Sequence, residues 1–281
     1  MKRQLVSAFI AIVALVGSAG GAAADTRTSA EPNAMGWYLA LGDSLAAGYQ
    51  PGQGEDRAGG YVGDVLAAVQ GEQPKTRLVN LACSGATTVS MIEGDEDCAY
   101  EEGTQLAQAV EFLHAHARHT RLVTIDIGAN DITRCARPAV DYACAAAALQ
   151  RINANLDHIL TSLSEAAGPD VEVVVLNYYN PFLAAYLQGA AGQALAMQST
   201  VQQSQLNAVI AGQAAAVGAD VADVAAAFES TNWAPTASPF GLLPTNVVRI
   251  CTWTWMCLLG DIHANDAGYA VLADAVEARL G

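Results

Sequence analysis

The stretch that decides the fold class is VEVVVL, at residues 171–176. Four of its six residues are Val and only Glu172 is polar, so it lacks the alternation of a strand with one face in water. A short run of β-branched residues of this kind is typical of a strand buried on both faces, as strands are in parallel sheets. The stretch therefore predicts a sheet that helices cover on both sides.

Strand-like and helix-like segments alternate on either side of this stretch. The other strand-like segments are residues 38–41, 77–82, 122–127 and 220–224, and the helix-like segments are residues 61–69, 106–116, 145–163, 193–217 and 267–280. This alternation predicts a three-layer α/β/α fold with a central parallel sheet of about five strands. Residues 93–102 and 231–259 look like insertions. No repeat or linker divides residues 37–281, so we expect a single domain there.

Residues 1–24 have the pattern of a secretory signal peptide. Lys2 and Arg3 form a basic start, residues 5–16 form a short apolar run, and Ala22-Ala23-Ala24 is a small-residue cleavage site. The alternative is a membrane anchor, but a spanning helix needs about 20 apolar residues and this run is shorter. We therefore expect cleavage, a flexible leader at residues 25–36, and a secreted protein with no stable membrane insertion.

The chain is strongly acidic. Its formal net charge at pH 7 is −15, from 13 basic and 28 acidic residues. Loss of Lys2 and Arg3 with the signal peptide would leave 11 basic and 28 acidic residues, a net charge of −17. Such a chain repels nucleic acid and anionic lipid, so neither is an expected partner. A neutral ester or polysaccharide is not excluded as a substrate, and a monomer is the default expectation.

Six Cys behind a signal peptide indicate disulfides rather than free thiols. Six Cys allow about 15 connectivities, and the sequence alone does not choose among them. We predict that neighbours pair because short loops close easily, which gives Cys83–Cys98, Cys135–Cys144 and Cys251–Cys257. No C-x-x-C pair occurs, which argues against a zinc site, and we expect neither a metal nor another cofactor.

The active site of a doubly wound sheet lies at the carboxyl ends of its strands, so the residues that follow each strand are the first candidates. Gly42-Asp43-Ser44-Leu45 follows the first predicted strand, and a Ser in a strand-to-helix turn can present its hydroxyl to the crevice. Taken alone, this Ser is more simply interpreted as a helix N-cap. The sequence contains no G-x-S-x-G, so the nucleophile elbow of α/β-hydrolases is not indicated.

Three further positions offer polar groups to the same edge of the sheet. Gly85, after the second strand, can turn sharply and present its N–H without a side chain in the way. Asn130, after the third strand, can donate from its side-chain amide. A plain turn and a helix cap are the simpler alternatives for these two residues. His263 precedes the last helix, whereas the other four His lie on helix-like segments.

The order of these motifs resembles that of the GDSL/SGNH hydrolase family over essentially the whole mature chain. The motifs are Gly-Asp-Ser-Leu near the start, a Ser-Gly turn, Gly-x-Asn-Asp and finally Asp-x-His. More narrowly, the chain resembles the secreted actinobacterial esterases and lipases of that family. The strings that carry this narrower resemblance are IDIGAND (125–131), NYYNPFLA (177–184), WMC (255–257) and DIHAN (261–265).

The resemblance implies a flavodoxin-like fold and a role for each of four residues. Ser44 would attack an ester carbonyl, and His263 would take its proton and later return it to the leaving alcohol. The oxyanion would be bound by the N–H groups of Ser44 and Gly85 and by the amide of Asn130. No cofactor is implied, and the expected partner is a small-molecule or lipid ester.

One position departs from the common pattern of the family. The acid usually stands three residues before the His, but Gly260 occupies that place and Asp261 is two residues before His263. Either Asp261 reaches Nδ1 of the imidazole through a shifted loop, or a backbone carbonyl near Gly260 orients the ring. Both arrangements can hold one tautomer, but only a carboxylate also stabilises the imidazolium by its charge.

Other candidate sites are weaker. His114 and His116 do not share a helical face, so we expect no metal site there or at nearby His119. The acidic loop at residues 93–102 has no EF-hand pattern and is interpreted as solvated. Two clusters remain open. The first cluster is expected to line the crevice and consists of Tyr178, Tyr179 and Asn180. The second could form an acyl pocket or only core, and it consists of Trp253, Trp255, Met256, Leu258 and Leu259.

The main hypothesis is therefore a secreted carboxylic ester hydrolase, either an esterase or a lipase. An acyltransferase with the same site, or a non-catalytic carbohydrate- or lipid-binding protein on the same fold, are the alternatives. The full set of Ser44, Gly85, Asn130 and His263 argues against a non-catalytic protein. Acyl chain length is not readable from the sequence. Each predicted disulfide would also brace a loop that carries one element of the site.

Overall fold

The computed structural model describes residues 35–133, 135, 141–239 and 241–281. The expected signal peptide and nearly all of the expected leader lie outside these residues. The first strand begins at Gly36, one residue before the expected start of the domain, because Gly36 pairs with Thr76 in the sheet. No helix in the described part of the chain is long and apolar enough to cross a membrane.

The central sheet has five parallel strands in the order β2-β1-β3-β4-β5. The strands are β1 (Gly36–Gly42), β2 (Thr76–Asn80), β3 (Thr120–Asp126), β4 (Glu172–Leu176) and β5 (Asp220–Ala222). Val174, Val175 and Leu176 of β4 are buried, as the apolar stretch predicts. The predicted fold class, a parallel sheet of five strands flanked by helices, is confirmed, and the strand order is that of flavodoxin-like folds.

The strand order reverses at β1, and this places the site. The chain passes from β1 to β2 on one side and then returns to β3 on the other side. The carboxyl ends of β1 and β3 therefore form the switch point at which open α/β sheets bind their ligands. Ser44 follows β1 and Asn130 follows β3, so both lie at this crevice.

Helices pack in two groups around the sheet. The longer helices are α1 (Gly60–Glu72), α3 (Gln105–His116), α5 (Tyr142–Ala167), α6 (Gly189–Val217) and α10 (Asp266–Glu277). Helix α1 packs against α10, whereas α5 packs against both α3 and α6. Right-handed crossovers require this arrangement, because the connection from β1 to β2 runs opposite to the later connections and puts its helix on the other face.

Short elements fill the two insertions and the loops beside the site. They are α2 (Thr88–Glu93), α4 (Ala129–Thr133), α7 (Val224–Ala227), the antiparallel hairpin β6 (Pro235–Ser238) and β7 (Gly241–Pro244), α8 (Thr245–Trp253), α9 (Met256–Leu259), and 3-10 helices at Ala117–His119 and Pro181–Gln188. The fifth strand is shorter than expected from the sequence. It ends at Ala222 because the Asp223 side chain accepts the Ala226 N–H at 3.0 Å and starts α7.

The six Cys form the three neighbour pairs that the sequence analysis predicts, Cys83–Cys98, Cys135–Cys144 and Cys251–Cys257. The first pair ties the loop after β2 to the acidic insertion at residues 93–102. The second joins the residues after α4 to the first turn of α5, and the third links α8 to α9. Each disulfide therefore closes a short loop at the carboxyl-end side of a strand or next to His263.

Candidate active site

Ser44 lies in a tight turn directly after β1. The turn is closed by hydrogen bonds from the Ala47 N–H to the Asp43 carbonyl and from the Tyr49 N–H to the Ser44 carbonyl, both at 3.0 Å. Regular helix begins only at Gly60, so the expected strand-to-helix turn is a longer connection and Ser44 caps no helix. The Ser44 hydroxyl is therefore not used as a helix cap.

His263 joins Ser44 to Asp261. The distance from His263 Nε2 to Ser44 Oγ is 2.8 Å, and that from Nδ1 to Asp261 Oδ1 is 2.6 Å. The same carboxylate oxygen accepts the backbone N–H of His263 at 3.0 Å. A proton on Nδ1 facing the carboxylate leaves Nε2 to accept the Ser44 hydroxyl. Of the two arrangements that the sequence left open, the geometry favours the shifted loop with Asp261.

Two tyrosines hold the histidine loop in place. The Tyr179 hydroxyl donates to the Ile262 carbonyl at 2.7 Å. The Tyr49 ring packs against the His263 imidazole with 4.4 Å between ring centroids. These contacts fix the backbone before His263 and one face of its ring, so the imidazole cannot swing freely away from Ser44.

The expected oxyanion donors differ in whether they line the cleft that contains Ser44. Asn130 lines the same cleft as Ser44, and its Nδ2 donates to the Ala86 carbonyl at 3.0 Å, which leaves one amide hydrogen free. Gly85 is exposed, at a φ of 86° that favours glycine, and it is not among the residues that line the cleft. Within the described residues, neither the Ser44 N–H nor the Gly85 N–H donates a hydrogen bond.

Asp131 fastens the loops of Gly85 and Asn130 to each other. It is buried, and its carboxylate accepts the Thr88 N–H and the Thr88 hydroxyl, each at 2.8 Å. Thr88 begins α2, three residues after Gly85. The carboxylate thus satisfies a free N–H at the start of that helix and fixes the distance between the two loops.

A pair of buried carboxyl groups lies beneath the Ser44 turn, and the sequence analysis missed it. Asp43 and Asp126 are almost fully buried, and the Asp43 N–H donates to Asp126 Oδ1 at 3.1 Å. Burial raises the pKa of Asp126 well above its ordinary value, and the neighbouring Asp43 raises it further. The available signal was the acidic residue within the predicted strand 122–127, in the string IDIGAND.

The cleft around Ser44 encloses about 680 Å³, its open mouth included. One side is apolar and the side formed by α6 carries a polar stripe. The apolar lining consists of Leu45, Ala129, Ile132, Pro181, Phe182, Leu206 and Ile262, and the polar stripe consists of Ser199, Gln202 and Gln203. The helical spacing of 199, 202, 203 and 206 indicates one face of α6, but nothing in the sequence showed that this face lies over the site.

The two open clusters have different outcomes. Tyr178 and Tyr179 line the cleft, as expected, whereas Asn180 is buried behind it and caps the 3-10 helix Pro181–Gln188. None of the residues of the second cluster, which runs from Trp253 to Leu259, lines this cleft. Trp253 packs against Phe228, with 5.2 Å between ring centroids, so it is core rather than acyl pocket.

The described residues contain one group that gathers three side chains of metal-ligand type, namely Cys83, Asp95 and Cys98. Its two sulfur atoms form a disulfide and are not thiolates, so the group does not fit a metal ion. His114 and His116 lie on α3 and belong to no such group within the described part of the chain. The site described above requires no cofactor for its chemistry.

The fold and the cleft define a class: a flavodoxin-like α/β protein with a Ser–His–Asp constellation at its switch point. Comparison with known families gives the name of that class. Residues 40–271 match the model of the GDSL-like lipase/acylhydrolase family. The chain belongs to this family, and it is a carboxylic ester hydrolase.

Similar solved structures carry the same fold at low sequence identity. A lipase from a goat rumen metagenome, Lip_vut3, is 19% identical with a TM-score of 0.56, and the match covers 88% of this chain and 100% of that one. The acetylxylan esterase Axe2 of Geobacillus stearothermophilus is 20% identical with a TM-score of 0.53, covering 89% and 96%. LAE5, an α/β hydrolase from a lake metagenome, is 19% identical with a TM-score of 0.51, covering 88% and 95%. No curated protein matches the sequence significantly.

Proposed function

We propose that the protein hydrolyses carboxylic esters through an acyl-enzyme on Ser44, with His263 as general base and Asp261 as its partner. The observation that carries the proposal is the continuous chain of short contacts from Ser44 Oγ through the imidazole to the Asp261 carboxylate, 2.8 Å and 2.6 Å long. Nucleophile and base within hydrogen-bond reach, with the base oriented by a third group, is the arrangement that such catalysis needs.

The steps follow from these contacts. Ser44 Oγ attacks the ester carbonyl carbon while its proton passes to His263 Nε2. The tetrahedral intermediate collapses, the bond to the alcohol oxygen breaks, and the imidazolium returns the proton to that oxygen. Water then attacks the acyl-enzyme, gives its proton to Nε2, and the acid is released as Ser44 recovers the proton. Asp261 stabilises the imidazolium in both halves of the cycle.

The oxyanion is assigned to three donors, the N–H groups of Ser44 and Gly85 and the free amide hydrogen of Asn130. The position of Asn130 in the cleft and the absence of other partners for the two N–H groups, within the described residues, support this assignment. Each such donor is typically worth about 3 kcal/mol in the transition state. Asn130 has the strongest support because it lines the cleft directly.

The lining of the cleft favours a neutral ester with a polar alcohol portion or a short acyl chain. The apolar side offers a surface to hydrocarbon. A long alkyl chain against the polar stripe on α6 would leave the Gln202 amide without a partner, since its Nε2 makes no hydrogen bond within the described residues. An acetylxylan esterase and a lipase are both among the structures with this fold. We therefore place short-chain esters first and long-chain lipids second.

We also propose that the protein is exported and acts outside the cell as a monomer. The basic, apolar and small-residue pattern of residues 1–24 and the three disulfides support export. The resemblance to secreted actinobacterial esterases agrees with this location. Processing should leave a leader at residues 25–36 and one catalytic domain over residues 37–281.

Hydrolysis of p-nitrophenyl esters from acetate to palmitate tests the function. The mature protein is compared with Ser44→Ala and with the control Ser204→Ala, which changes a serine on α6 outside the cleft lining. We expect turnover that is highest for short chains, lost in Ser44→Ala and kept in Ser204→Ala. A fluorophosphonate should label only proteins that retain Ser44. Equal activity in Ser44→Ala, or no activity of the folded wild type on any ester, would contradict the proposal.

A further inference from the structure

The two carboxyl groups beneath Ser44 are bound into one network. The Asp43 N–H donates both to the Asp126 carbonyl at 3.0 Å and to Asp126 Oδ1 at 3.1 Å. The Tyr61 hydroxyl donates to Asp126 Oδ2 at 2.6 Å. Asp43 in turn accepts the Leu45 N–H at 3.0 Å and the Tyr178 hydroxyl at 2.8 Å.

No cation compensates this pair within the described residues. The ion pairs recorded there join Arg57 to Glu55, Arg249 to Glu229 and His263 to Asp261, and none involves Asp43 or Asp126. The titratable groups that surround Asp126 are one acid and five tyrosines, namely Asp43, Tyr38, Tyr61, Tyr178, Tyr179 and Tyr269. His263 is more distant from Asp126 and acts on Asp43. Two adjacent buried carboxylates without a cation cannot both be charged.

We propose that Asp126 is a neutral carboxylic acid at neutral pH and acts as a positioning residue, donating its proton in a hydrogen bond to the Asp43 carboxylate and thereby holding the Ser44 turn. Each of the two carboxyl groups accepts two hydrogen bonds, so their number does not place the proton. Asp43 is the better anion because the nearby His263 favours its charged form, whereas Asp126 is completely buried.

The consequence for the nucleophile follows from the backbone. The N–H before Ser44, that of Asp43, is held by Asp126, and the N–H after it, that of Leu45, is held by Asp43. Ser44 is therefore fixed from both sides while its own N–H stays available. Strands β1 and β3 approach so closely here that residue 42 has no room for a side chain, since a Cβ at Gly42 would lie 2.2 Å from the Asp126 carbonyl oxygen.

Burial, followed by the neighbouring Asp43 carboxyl, raises the pKa of Asp126 well above its ordinary value. A raised pKa in the folded state adds stability that is complete below the unfolded pKa, near 4, and is lost as pH rises toward the folded pKa. Asn at this position keeps a donor for Asp43 and an acceptor for the Asp43 N–H, but it has no proton to lose.

Thermal unfolding of wild type and Asp126→Asn between pH 4 and 9 tests the proton. We expect the Tm of Asp126→Asn to rise relative to wild type by about 3–5 °C for each pH unit above 4, up to the pKa of Asp126. Asp131→Asn is the matched control, because that buried Asp only accepts hydrogen bonds and its replacement should lower Tm. The proposal that Asp126 is neutral would be refuted if the Tm difference between wild type and Asp126→Asn did not change with pH, or if Asp126→Asn failed to fold.

Kinetics on p-nitrophenyl acetate test the positioning, which rests on the proposed role of Ser44. We expect Asp126→Asn to keep kcat within about threefold, and Asp126→Ala to lose at least about tenfold in kcat with KM nearly unchanged. The Ala variant removes the side-chain partner of the Tyr61 hydroxyl and of the Asp43 carboxylate, and it leaves the Asp43 N–H with only its bond to the backbone carbonyl of residue 126. Equal loss in both variants would overturn the proposal. If the wild type hydrolyses no ester, the function of Ser44 fails, but the Tm comparison still decides where the proton lies.

Discussion

The hydroxyl of Tyr179 donates a hydrogen bond of 2.7 Å to the carbonyl oxygen of Ile262, the residue before His263. This bond joins the segment after the fourth strand to the loop that carries His263, the proposed general base, and Tyr179 also stacks on Phe228 with 4.5 Å between ring centroids. The ring is thus anchored in the core while its hydroxyl holds the His263 loop.

Replacement of Tyr179 by Phe should therefore reduce kcat without unfolding the protein. The ring packing remains, but the Ile262 carbonyl loses its donor, which costs about 1 kcal/mol and corresponds to about fivefold in rate if the loop shifts. Tyr186→Phe is the control, since Tyr186 lies on the 3-10 helix Pro181–Gln188, packs its ring against Trp233 and does not line the cleft. Steady-state kinetics with a p-nitrophenyl ester measure the difference, and equal kcat values in the two variants would show that the bond does not position His263.

Asp261→Asn decides which group orients the histidine. An amide beside Nδ1 removes the charge that stabilises the imidazolium and favours the wrong tautomer, so kcat should fall by about 10²–10⁴. Asp266→Asn is the control, because that exposed carboxylate contacts Gln50 and not the imidazole. Near-normal activity of Asp261→Asn would instead assign the orienting role to a backbone carbonyl near Gly260.

Asn130→Ala should act on the transition state alone. Loss of one oxyanion donor is expected to lower kcat by about 10²–10³ while KM changes little. Asn153→Ala, which changes an exposed asparagine on α5 that accepts from Gln213, should leave both constants unchanged. A rise in KM with a normal kcat would indicate that Asn130 binds the ground state of the ester rather than the oxyanion.

Reduction of the disulfides should abolish activity before it melts the fold. Cys83 lies two residues before Gly85, and the bond from Cys251 to Cys257 closes the segment that leads to His263, so two catalytic loops are braced in this way. Each bond also adds about 2–4 kcal/mol to the free energy of unfolding. Activity and far-UV circular dichroism are followed as reductant is added, with a urea titration as the control in which both should fall together. Coincident loss in reductant would leave only the general stabilising role.

Much of the fold is predictable from local patterns. The Val-rich stretch at residues 171–176 and the alternation around it fix the parallel sheet, because buried strands and amphipathic helices have different hydrophobic periods. Ser44 and Asn130 are candidates because they follow strands, and the carboxyl ends of parallel strands meet at one edge of the sheet. His263 precedes the last helix, and the role of each residue is implied by the resemblance to the GDSL/SGNH hydrolase family. For these features, the place of a residue in the sequence is enough to predict its place in the fold.

The remaining features depend on contacts between distant segments. The pairing of Asp43 with Asp126 requires the register of β1 against β3, which no local pattern specifies. The polar stripe of α6 lies over the cleft because of how the helix packs against the 3-10 helix Pro181–Gln188, itself not predicted. The reach of Asp261 to Nδ1 is a matter of loop geometry, so the sequence left two alternatives where the structure favours one.

The bond between Ser44 and His263 joins residues that are 219 positions apart. Contacts near the two ends hold them together, including that of the Tyr269 hydroxyl with the Tyr49 carbonyl and that of the Trp255 indole with Gln50. A nascent or proteolysed chain that stops short of residue 263 would carry Ser44, the proposed nucleophile, without His263, its proposed base. The onset of hydrolysis would therefore report on the completion of folding, since the proposed reaction begins only after the last helix has packed against α1.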